Sequence, residues 1–358
     1  MAELSVLLSA PRPAEAGRPP WGSSKVAKPH LPESAPRPAE AGRPSWGSSK
    51  VAKPHLLESL PAPARRAWPR WPLRIGHALA APAILLMLVL LIGPLLVVLG
   101  LSLTDYQLGA EGLAFIGLDN YRALGGDRVF WKSLRNTALY SLAVVPGSVG
   151  LGLAAALLIQ GVGRGQAAYR AVFFLPVMAT LIAMALVWEF MLHPSFGLVN
   201  LSLRSIGMAP RNWLNDEDPA LWVLAVIGIW QSFGFNMVLF SAGLLGIPRP
   251  LYEAAAIDGV PAGWARFRLV TWPMLAPVTL FVVVVSSIKS FQVFDTVQVL
   301  TKGGPNKATE VLVYTLYAEG FEFFRSGYAS AVTTVFLAIV LLITVVKTRW
   351  LDRRVHYA

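Results

Sequence analysis

Two apolar segments of the chain carry side chains that could bind a small polar solute. Polar groups inside long apolar helices are costly, and they usually face a cavity or a partner helix. An aromatic ring beside amide and hydroxyl groups suits a sugar, because sugar hydroxyl groups need hydrogen-bond partners and the CH face packs on a ring. Alternatively, such serine and glutamine side chains join neighbouring helices. The candidates are Gln231, Ser232, Phe235 and Asn236 in one segment and Ser286, Lys289, Ser290 and Gln292 in the other.

Lys289 is the most unusual of these residues, because an ammonium group within an apolar segment is expensive unless it is paired. Asp295 follows it by six residues, which is a poor spacing for two side chains on one helix. Two other possibilities stay open. The ammonium group could bond an acidic residue of a partner subunit, or it could attract an anionic substrate such as a glycerol phosphate.

The chain lacks the residue patterns of an enzyme. It has no cysteine, its five histidines are scattered, and no GxxxxGK[ST] phosphate loop occurs. No convergent acid–base or metal-ligand set is apparent. We therefore predict a chain without catalytic residues, metal or cofactor of its own, which leaves any nucleotide chemistry to another chain.

Composition predicts the elements that must hold the polar residues. Of the 358 residues, 55% are hydrophobic and only 14% are charged, which is typical of an all-α polytopic membrane protein. The net charge of +11 fits basic loops on one side of a membrane better than nucleic-acid binding. Six segments are long enough to cross a bilayer: 75–103, 134–160, 169–192, 219–246, 276–299 and 327–347.

Orientation follows from the positions of lysine and arginine in the connections. The basic connections alternate with mixed or acidic ones, such as the segment that contains Asp216, Glu217 and Asp218. All the basic connections fall on one side if both termini are cytoplasmic. This topology places the connection between the fourth and fifth spans inside the cell.

The N-terminal 74 residues form a separate region. Residues 10–34 recur at 35–59 with two differences, and the sequence is rich in proline and basic residues. Such a composition cannot bury enough apolar surface to order the chain. We predict that 1–74 is a disordered basic tail and that 75–358 is the membrane domain.

The connection from Leu251 to Pro277 is charged and helix-prone. A short helix with Glu253 in its first turn is predicted to end at Gly259 and Pro261. A second short helix, about 262–270, would carry an apolar stripe flanked by arginines. Two such helices suit a groove on a soluble protein. The alternative is an amphipathic hairpin that lies on anionic lipid.

This connection resembles the EAA motif of ABC importer permeases. Glu253, Ala254, Ala255, Asp258 and Gly259 match the first half of the motif, and Phe267, Val270 and Pro273 match the second half. Over residues 75–358, segments such as SLTDY, FIGLDNYRAL, FFLP and HPSFGLVN resemble sugar-type permeases of the maltose or glycerol-3-phosphate type. The resemblance implies a type I (MetI-like) permease fold with six transmembrane helices and coupling helices within 251–273. The implied ATPase-coupling residues are Glu253, Ala254, Ala255, Asp258, Gly259, Trp264, Arg266 and Phe267.

The resemblance also implies the partners and the place of action. A second, similar permease completes the pathway, two ATPase subunits with ATP and Mg²⁺ bind the coupling helices, and an extracytoplasmic binding protein delivers the solute. Membrane lipid surrounds the chain in a bacterial inner membrane, and no nucleic acid is expected. In such permeases the fourth and fifth spans line the substrate path, which places Ser232, Phe235, Asn236, Ser286 and Ser290 along it.

The expected function is import of a carbohydrate or related polyol by alternating access. The alternative within the same class is an anionic solute, such as glycerol 3-phosphate or a glycerophosphodiester. A stand-alone secondary transporter is a more distant possibility. It would need several intramembrane acids for ion coupling, and the chain has almost none away from the span ends.

Overall fold

The computed structural model describes residues 73–352, which form helices and one isolated β-bridge. Five helical runs are long and apolar enough to cross a bilayer, and a bent pair of shorter helices makes a sixth crossing if it is counted as one broken span. The five runs are Leu79–Leu101, Arg128–Gly161, Glu217–Leu245, Trp264–Leu300 and Ser326–Val346, and the bent pair is Gln166–Met178 with Ile182–Met191. The predicted all-α membrane architecture is confirmed.

The helices are numbered in chain order. They are α1 Leu73–Met87, α2 Gly93–Leu101, α3 Asp119–Gly126, α4 Arg128–Gly161, α5 Gln166–Met178, α6 Leu181–Met191, α7 Leu198–Ser205, α8 Glu217–Leu245, α9 Arg249–Ile257, α10 Trp264–Arg266, α11 Trp272–Phe291, α12 Asp295–Leu300, α13 Leu312–Tyr317 and α14 Ser326–Asp352. Three π-helical turns continue neighbouring helices, at Leu88–Ile92, Phe267–Thr271 and Ala318–Glu322.

The predicted third span, 169–192, is not one straight helix. α5 and α6 are bent by 96° relative to each other. Ala179 and Thr180 between them are both extended, with ψ angles of 139° and 135°. Pro176 lies one turn earlier and lacks the N–H that a helix interior needs, which weakens the helix where it ends. The span is therefore broken where the sequence predicts continuity.

α4 and α8 form the centre of the domain, and glycines let them approach closely. A Cβ atom on Gly152 would lie 2.7 Å from the Cβ of Asn236. A Cβ atom on Gly228 would collide with the hydroxyl group of Tyr140. The absence of these side chains brings the polar residues of α8 next to α4. This close contact positions the candidate site.

The beginning of α4 is tied to the segment that precedes α13. The side-chain amide of Asn136 donates to the carbonyl oxygen of Glu310 at 2.9 Å. The hydroxyl group of Thr137 accepts from the backbone N–H of Leu312 at 2.9 Å. These bonds join residues that are about 175 positions apart in sequence, so they fix the fifth-to-sixth connection against the second span.

The first span differs from the others because none of residues 79–101 is buried. α2 packs against α14, and its other sides are left uncovered by this chain. The predicted tail, 1–74, lies outside the described residues except for its last two positions, so the prediction of disorder stays a prediction.

Candidate functional site

A cavity of about 330 Å³ lies between α4, α8 and the end of α11, and we call it the central cavity. All eight candidate residues of the fourth and fifth spans line it. They are Gln231, Ser232, Phe235, Asn236, Ser286, Lys289, Ser290 and Gln292. The structure thus brings together two groups that are about fifty residues apart in sequence. Their part in substrate passage stays a prediction.

Other lining residues were missed by the sequence analysis. α4 contributes Tyr140, Val144 and Ser148, and Phe294 lies between α11 and α12. Asp295, which the sequence analysis considered only as a partner of Lys289, begins α12 and also lines the cavity. The criterion that singled out the fourth and fifth spans was a polar residue within an apolar run. Applied to the second span, the same criterion would have found Ser148 and Tyr140. The lining also includes Val177, Gly228, Val293 and Thr296.

Asn236 is the centre of a buried hydrogen-bond network. Its amide nitrogen donates to the hydroxyl oxygen of Ser148 on α4 at 3.2 Å. Its amide oxygen accepts from the hydroxyl group of Ser286 on α11 at 3.1 Å. Asn236 is only 1% exposed and Ser148 is fully buried. These three side chains therefore join the three helices that enclose the central cavity, which is the helix-joining role left open by the sequence.

The other candidates differ in how much of each faces open space. Ser290 is buried and donates within its own helix to the carbonyl oxygen of Ser287 at 2.9 Å. Gln231, Ser232 and Phe235 are half-buried, whereas Gln292 is exposed. The side chains with room to contact a solute are therefore those of Gln231, Ser232, Phe235, Lys289 and Gln292. Asn236 and Ser286 are buried and lack that room.

The Lys289 ammonium group lies 3.8 Å from the centre of the Phe235 ring. Its side chain is exposed rather than buried by this chain. Among the ion pairs within residues 73–352, none joins Lys289 to Asp295, so that possible pairing is wrong for this structure. The cation–π contact connects α11 to α8 and holds the positive charge at the cavity wall.

Replacement of Asn236 by alanine tests the helix-joining role. We expect Asn236→Ala to lower the free energy of unfolding by about 1–3 kcal/mol, because two buried hydroxyl groups lose a partner. Thermal unfolding of the purified protein in detergent measures the loss. Gln231→Ala is the matched control, since Gln231 lines the same cavity but is half-buried. Equal destabilisation by both changes would contradict the assignment.

α9 forms the front half of the predicted coupling element and ends in a Schellman motif. The N–H of Val260 bonds the carbonyl oxygen of Ala255 at 2.9 Å, and the N–H of Gly259 bonds that of Ala256 at 3.2 Å. Gly259 has a φ angle of +76°, which favours glycine. α9 begins at Arg249, so Glu253 lies in the second turn rather than in the predicted first turn.

Tyr252 and Ala255 hold α9 against the domain, whereas most of its other residues are exposed. The hydroxyl groups of Tyr252 and Thr271 lie 3.1 Å apart, and Ala255 is buried against the domain. Glu253, Ala254, Asp258 and Gly259 are exposed. Ile257 is 87% exposed, which is unusual for an isoleucine at the end of a well-formed helix. The exposed face therefore mixes apolar and acidic groups.

The predicted second short helix, about 262–270, is not a separate element. α10 begins at Trp264 and continues through the π-helical turn into α11 without a break. The wider turn accommodates Pro273, which has no N–H for a regular helical bond, and it closes with a bond from the N–H of Trp272 to the carbonyl oxygen of Phe267.

Two aromatic residues of the predicted apolar stripe lie at the start of this long helix. The rings of Trp264 and Phe267 stack with their centres 5.2 Å apart, and Trp264 is 74% exposed. Arg266 is half-buried, and its guanidinium group donates to the carbonyl oxygen of Val260 at 3.4 Å. The eight predicted coupling residues thus lie on α9, directly after its end, and at the start of the fifth span.

Within residues 73–352, no group of three or more histidine, cysteine, aspartate or glutamate side chains is placed to hold a metal ion.

Comparisons with known proteins agree on one family. The family model described as "Binding-protein-dependent transport system inner membrane component" matches residues 148–357. The sn-glycerol-3-phosphate transport system permease protein UgpA of Agrobacterium fabrum is 33% identical and covers 78% of this chain and 96% of its own length. The trehalose/maltose transport system permease protein MalF of Thermococcus litoralis is also 33% identical and covers 76% and 92%.

A solved structure supports the same fold. The matching chain comes from a bacterial alginate ABC transporter in complex with an alginate pentasaccharide-bound periplasmic protein. It superimposes with a TM-score of 0.70 over 80% of this chain and 96% of its own, at 21% identity, which is evidence for the fold alone. Together with the family match, this result confirms the MetI-like permease fold. The chain belongs to the family of binding-protein-dependent transport system inner membrane components, the permease subunits of ABC transporters.

Proposed function

We propose that this chain is one membrane-spanning permease subunit of an ATP-driven importer that moves a carbohydrate or related polyol by alternating access. The observation that carries the proposal is the central cavity. It gathers amide, hydroxyl and aromatic groups from two distant spans within an otherwise apolar domain. Such a lining suits a solute with many hydroxyl groups. Two relatives are named for the transport of glycerol 3-phosphate and of trehalose and maltose, which are solutes with several polar groups.

The partners follow from what this chain lacks and from the surface of α9. A phosphate loop is absent from the sequence, so a separate ATPase pair with ATP and Mg²⁺ would supply the energy. The exposed α9 face, with Glu253 and Ile257, and the exposed Trp264 form the proposed docking surface for that ATPase. A second permease and an extracytoplasmic binding protein complete the transporter. This arrangement requires that the termini and α9 face the cytoplasm of a bacterial cell.

A specific observation favours an anionic solute as the second candidate. The Lys289 ammonium group is exposed in the central cavity and pairs with a ring rather than with a carboxylate. A phosphate or carboxylate group on the solute would give it a full counter-charge. A glycerol 3-phosphate or a glycerophosphodiester has this chemistry, whereas a neutral sugar does not.

The Lys289→Met variant tests the charge of the solute. In proteoliposomes that contain the whole transporter, we expect ATP-dependent uptake of glycerol 3-phosphate to fall at least about tenfold, because hydrogen bonds to charged groups contribute about 1.5–3 kcal/mol. Uptake of maltose should change much less. Radiolabelled solute inside the vesicles, measured with ATP and with ADP, gives both results.

Lys302→Met is the control for this experiment, because Lys302 is exposed and lies outside the central cavity. Equal loss of both solutes in Lys289→Met would indicate a structural role for Lys289. Uptake that proceeds with ADP as well as with ATP would contradict an ATP-driven importer.

A further inference from the structure

The connection between α6 and α8 carries an unusual number of exposed apolar side chains. It covers residues 192–216, contains α7, and lies outside the five long apolar helices and the bent pair. We call its exposed apolar residues the rim patch, and they are between 45% and 70% exposed: Phe196, Leu198, Leu201, Ile206 and Met208. Apolar surface gathered on a connection indicates contact with something apolar.

The connection is well packed, so loose folding does not explain the exposure of the rim patch. Asn200 is fully buried, and its amide nitrogen donates to the carbonyl oxygens of His193 at 3.1 Å and Arg211 at 2.9 Å. Its amide oxygen accepts from the backbone N–H of Arg211 and the indole N–H of Trp213, both at 3.0 Å. A Cβ atom on Gly197 would lie 2.5 Å from the backbone nitrogen and oxygen of His193. The connection therefore folds around a polar centre and leaves its apolar side chains outside.

The rim patch continues the exposed apolar face of a helix that belongs to the bent pair. Ile182, Leu186 and Phe190 lie four residues apart on one face of α6, and each is at least 47% exposed. The centre of the Phe190 ring lies 6.4 Å from that of the Phe196 ring. The apolar surface of the sixth crossing therefore extends past the end of α6 into the connection.

Two arginines accompany these apolar residues. Arg204 and Arg211 are exposed, and none of the ion pairs found within residues 73–352 includes either of them. Trp222 is 51% exposed near the beginning of α8, which is typical of the aromatic belt at a membrane boundary. Leucine and phenylalanine beside unpaired arginines are typical of a segment that lies between acyl chains and headgroups.

The acidic residues that follow limit what the charge can mean. No acidic residue occurs from 190 to 215, but Asp216, Glu217 and Asp218 come directly afterwards. Two of these three begin α8, where negative charge suits the helix dipole. The nearby charges therefore nearly cancel. A contact with lipid would depend on apolar burial and on the phosphate that every phospholipid headgroup carries, and not on anionic lipid.

We propose that α7 and the turns beside it lie on the bilayer surface, at the leaflet where α6 ends. The rim patch enters the upper acyl-chain region, and Arg204 lies at the level of the headgroup phosphates. The contact fixes the depth of the connection between the third and fourth spans. It goes beyond the proposed function, because it depends neither on the solute nor on the ATPase.

The test uses the absence of cysteine, which makes a single introduced cysteine a unique labelling site. The full-length Leu201→Cys and Ile206→Cys variants, each with a nitrobenzoxadiazole label, are placed in nanodiscs of phosphatidylethanolamine and phosphatidylglycerol. A phosphatidylcholine with a nitroxide near its headgroup quenches labels at the boundary, and iodide quenches labels in water. We expect nitroxide quenching of both labels, and iodide quenching constants at least about threefold below that of labelled Glu111→Cys.

Two controls define the limits of the measurement. Glu111 is exposed in the connection between the first and second spans, and Leu90 is 66% exposed within the first span. Labelled Leu90→Cys should be protected from iodide. In the labelled Leu201→Cys chain, Arg204→Glu should raise the iodide quenching constant at least about twofold, because a carboxylate is repelled by headgroup phosphate.

Each alternative result has a definite meaning. Iodide quenching of both rim-patch labels equal to that of Glu111→Cys would overturn the proposed lipid contact. Protection from iodide without nitroxide quenching would also overturn it, because another protein chain would then cover the patch. An unchanged constant after Arg204→Glu would overturn the part assigned to the arginine. Loss of ATP-dependent uptake would overturn the proposed function and leave these quenching results unaffected.

Discussion

The Gly259→Asp and Glu253→Lys variants are each expected to reach the membrane in normal amounts and to lose solute uptake. Gly259 has a φ angle of +76°, so a side chain there strains the end of α9, and the new carboxylate would lie beside Asp258. Glu253 is exposed, and reversal of its charge changes the surface without affecting the core. Coupling energies of 1–3 kcal/mol correspond to about 5–150-fold, so losses above about tenfold are expected.

Uptake into proteoliposomes and co-purification of the ATPase measure this effect together. Glu111→Lys and Gly112→Asp are matched controls, because both residues are exposed in the connection between the first and second spans. A Cβ atom on Gly112 would meet nothing within 4 Å. Normal uptake by both α9 variants would refute the coupling assignment. Poor membrane levels of the α9 variants alone would indicate a folding role instead.

The Gly234→Ala variant is expected to destabilise the domain by about 3 kcal/mol, at the upper end of the usual cost of an overpacked core. A Cβ atom at Gly234 would collide with the carbonyl oxygen of Phe173, which belongs to the backbone of α5 and cannot rotate away. The contact between α5 and α8 would therefore have to open. Thermal unfolding in detergent, followed by light scattering or size exclusion, measures the loss.

Gly150→Ala is a control for which no loss of stability is expected. Gly150 is also a helical glycine in a span, but a Cβ atom there would meet nothing within 4 Å. Alanine is favoured over glycine in a helix by about 1 kcal/mol, so this variant should be as stable as the wild type or more stable. If both changes had the same effect, the close approach of α5 to α8 would not explain the need for glycine at 234.

Much of the candidate site could be predicted from sequence, because a polar residue in an apolar span has few acceptable places. That rule identified Asn236, Ser286 and Lys289, which the structure brings to one cavity. It did not identify Asp295 as a residue that lines the cavity, because no glycine or proline at Phe294 indicates that the chain bends there. Helical periodicity extended across that bend gives the wrong direction for the side chain.

Proline explains two of the differences between the predicted and observed helices, with opposite outcomes. Pro273 follows the predicted second short helix, but the wider turn at Phe267–Thr271 accommodates it, and the helix continues into the fifth span. Pro176 lies within a segment that reads as one apolar span, yet α5 ends two residues later. The local sequence cannot decide between these outcomes, because each depends on what packs against the helix around the proline.

The continuous helix from Trp264 to Phe291 links the proposed docking surface at one end to the central cavity at the other, so that it would act as a lever. At 1.5 Å per residue the lever is about 40 Å long, so a tilt of about 5° at one end moves the other by roughly 3–4 Å. That displacement exceeds the length of a hydrogen bond, about 2.9 Å. A small tilt imposed at the α9 end would therefore be enough to exchange the contacts between Lys289 and a solute.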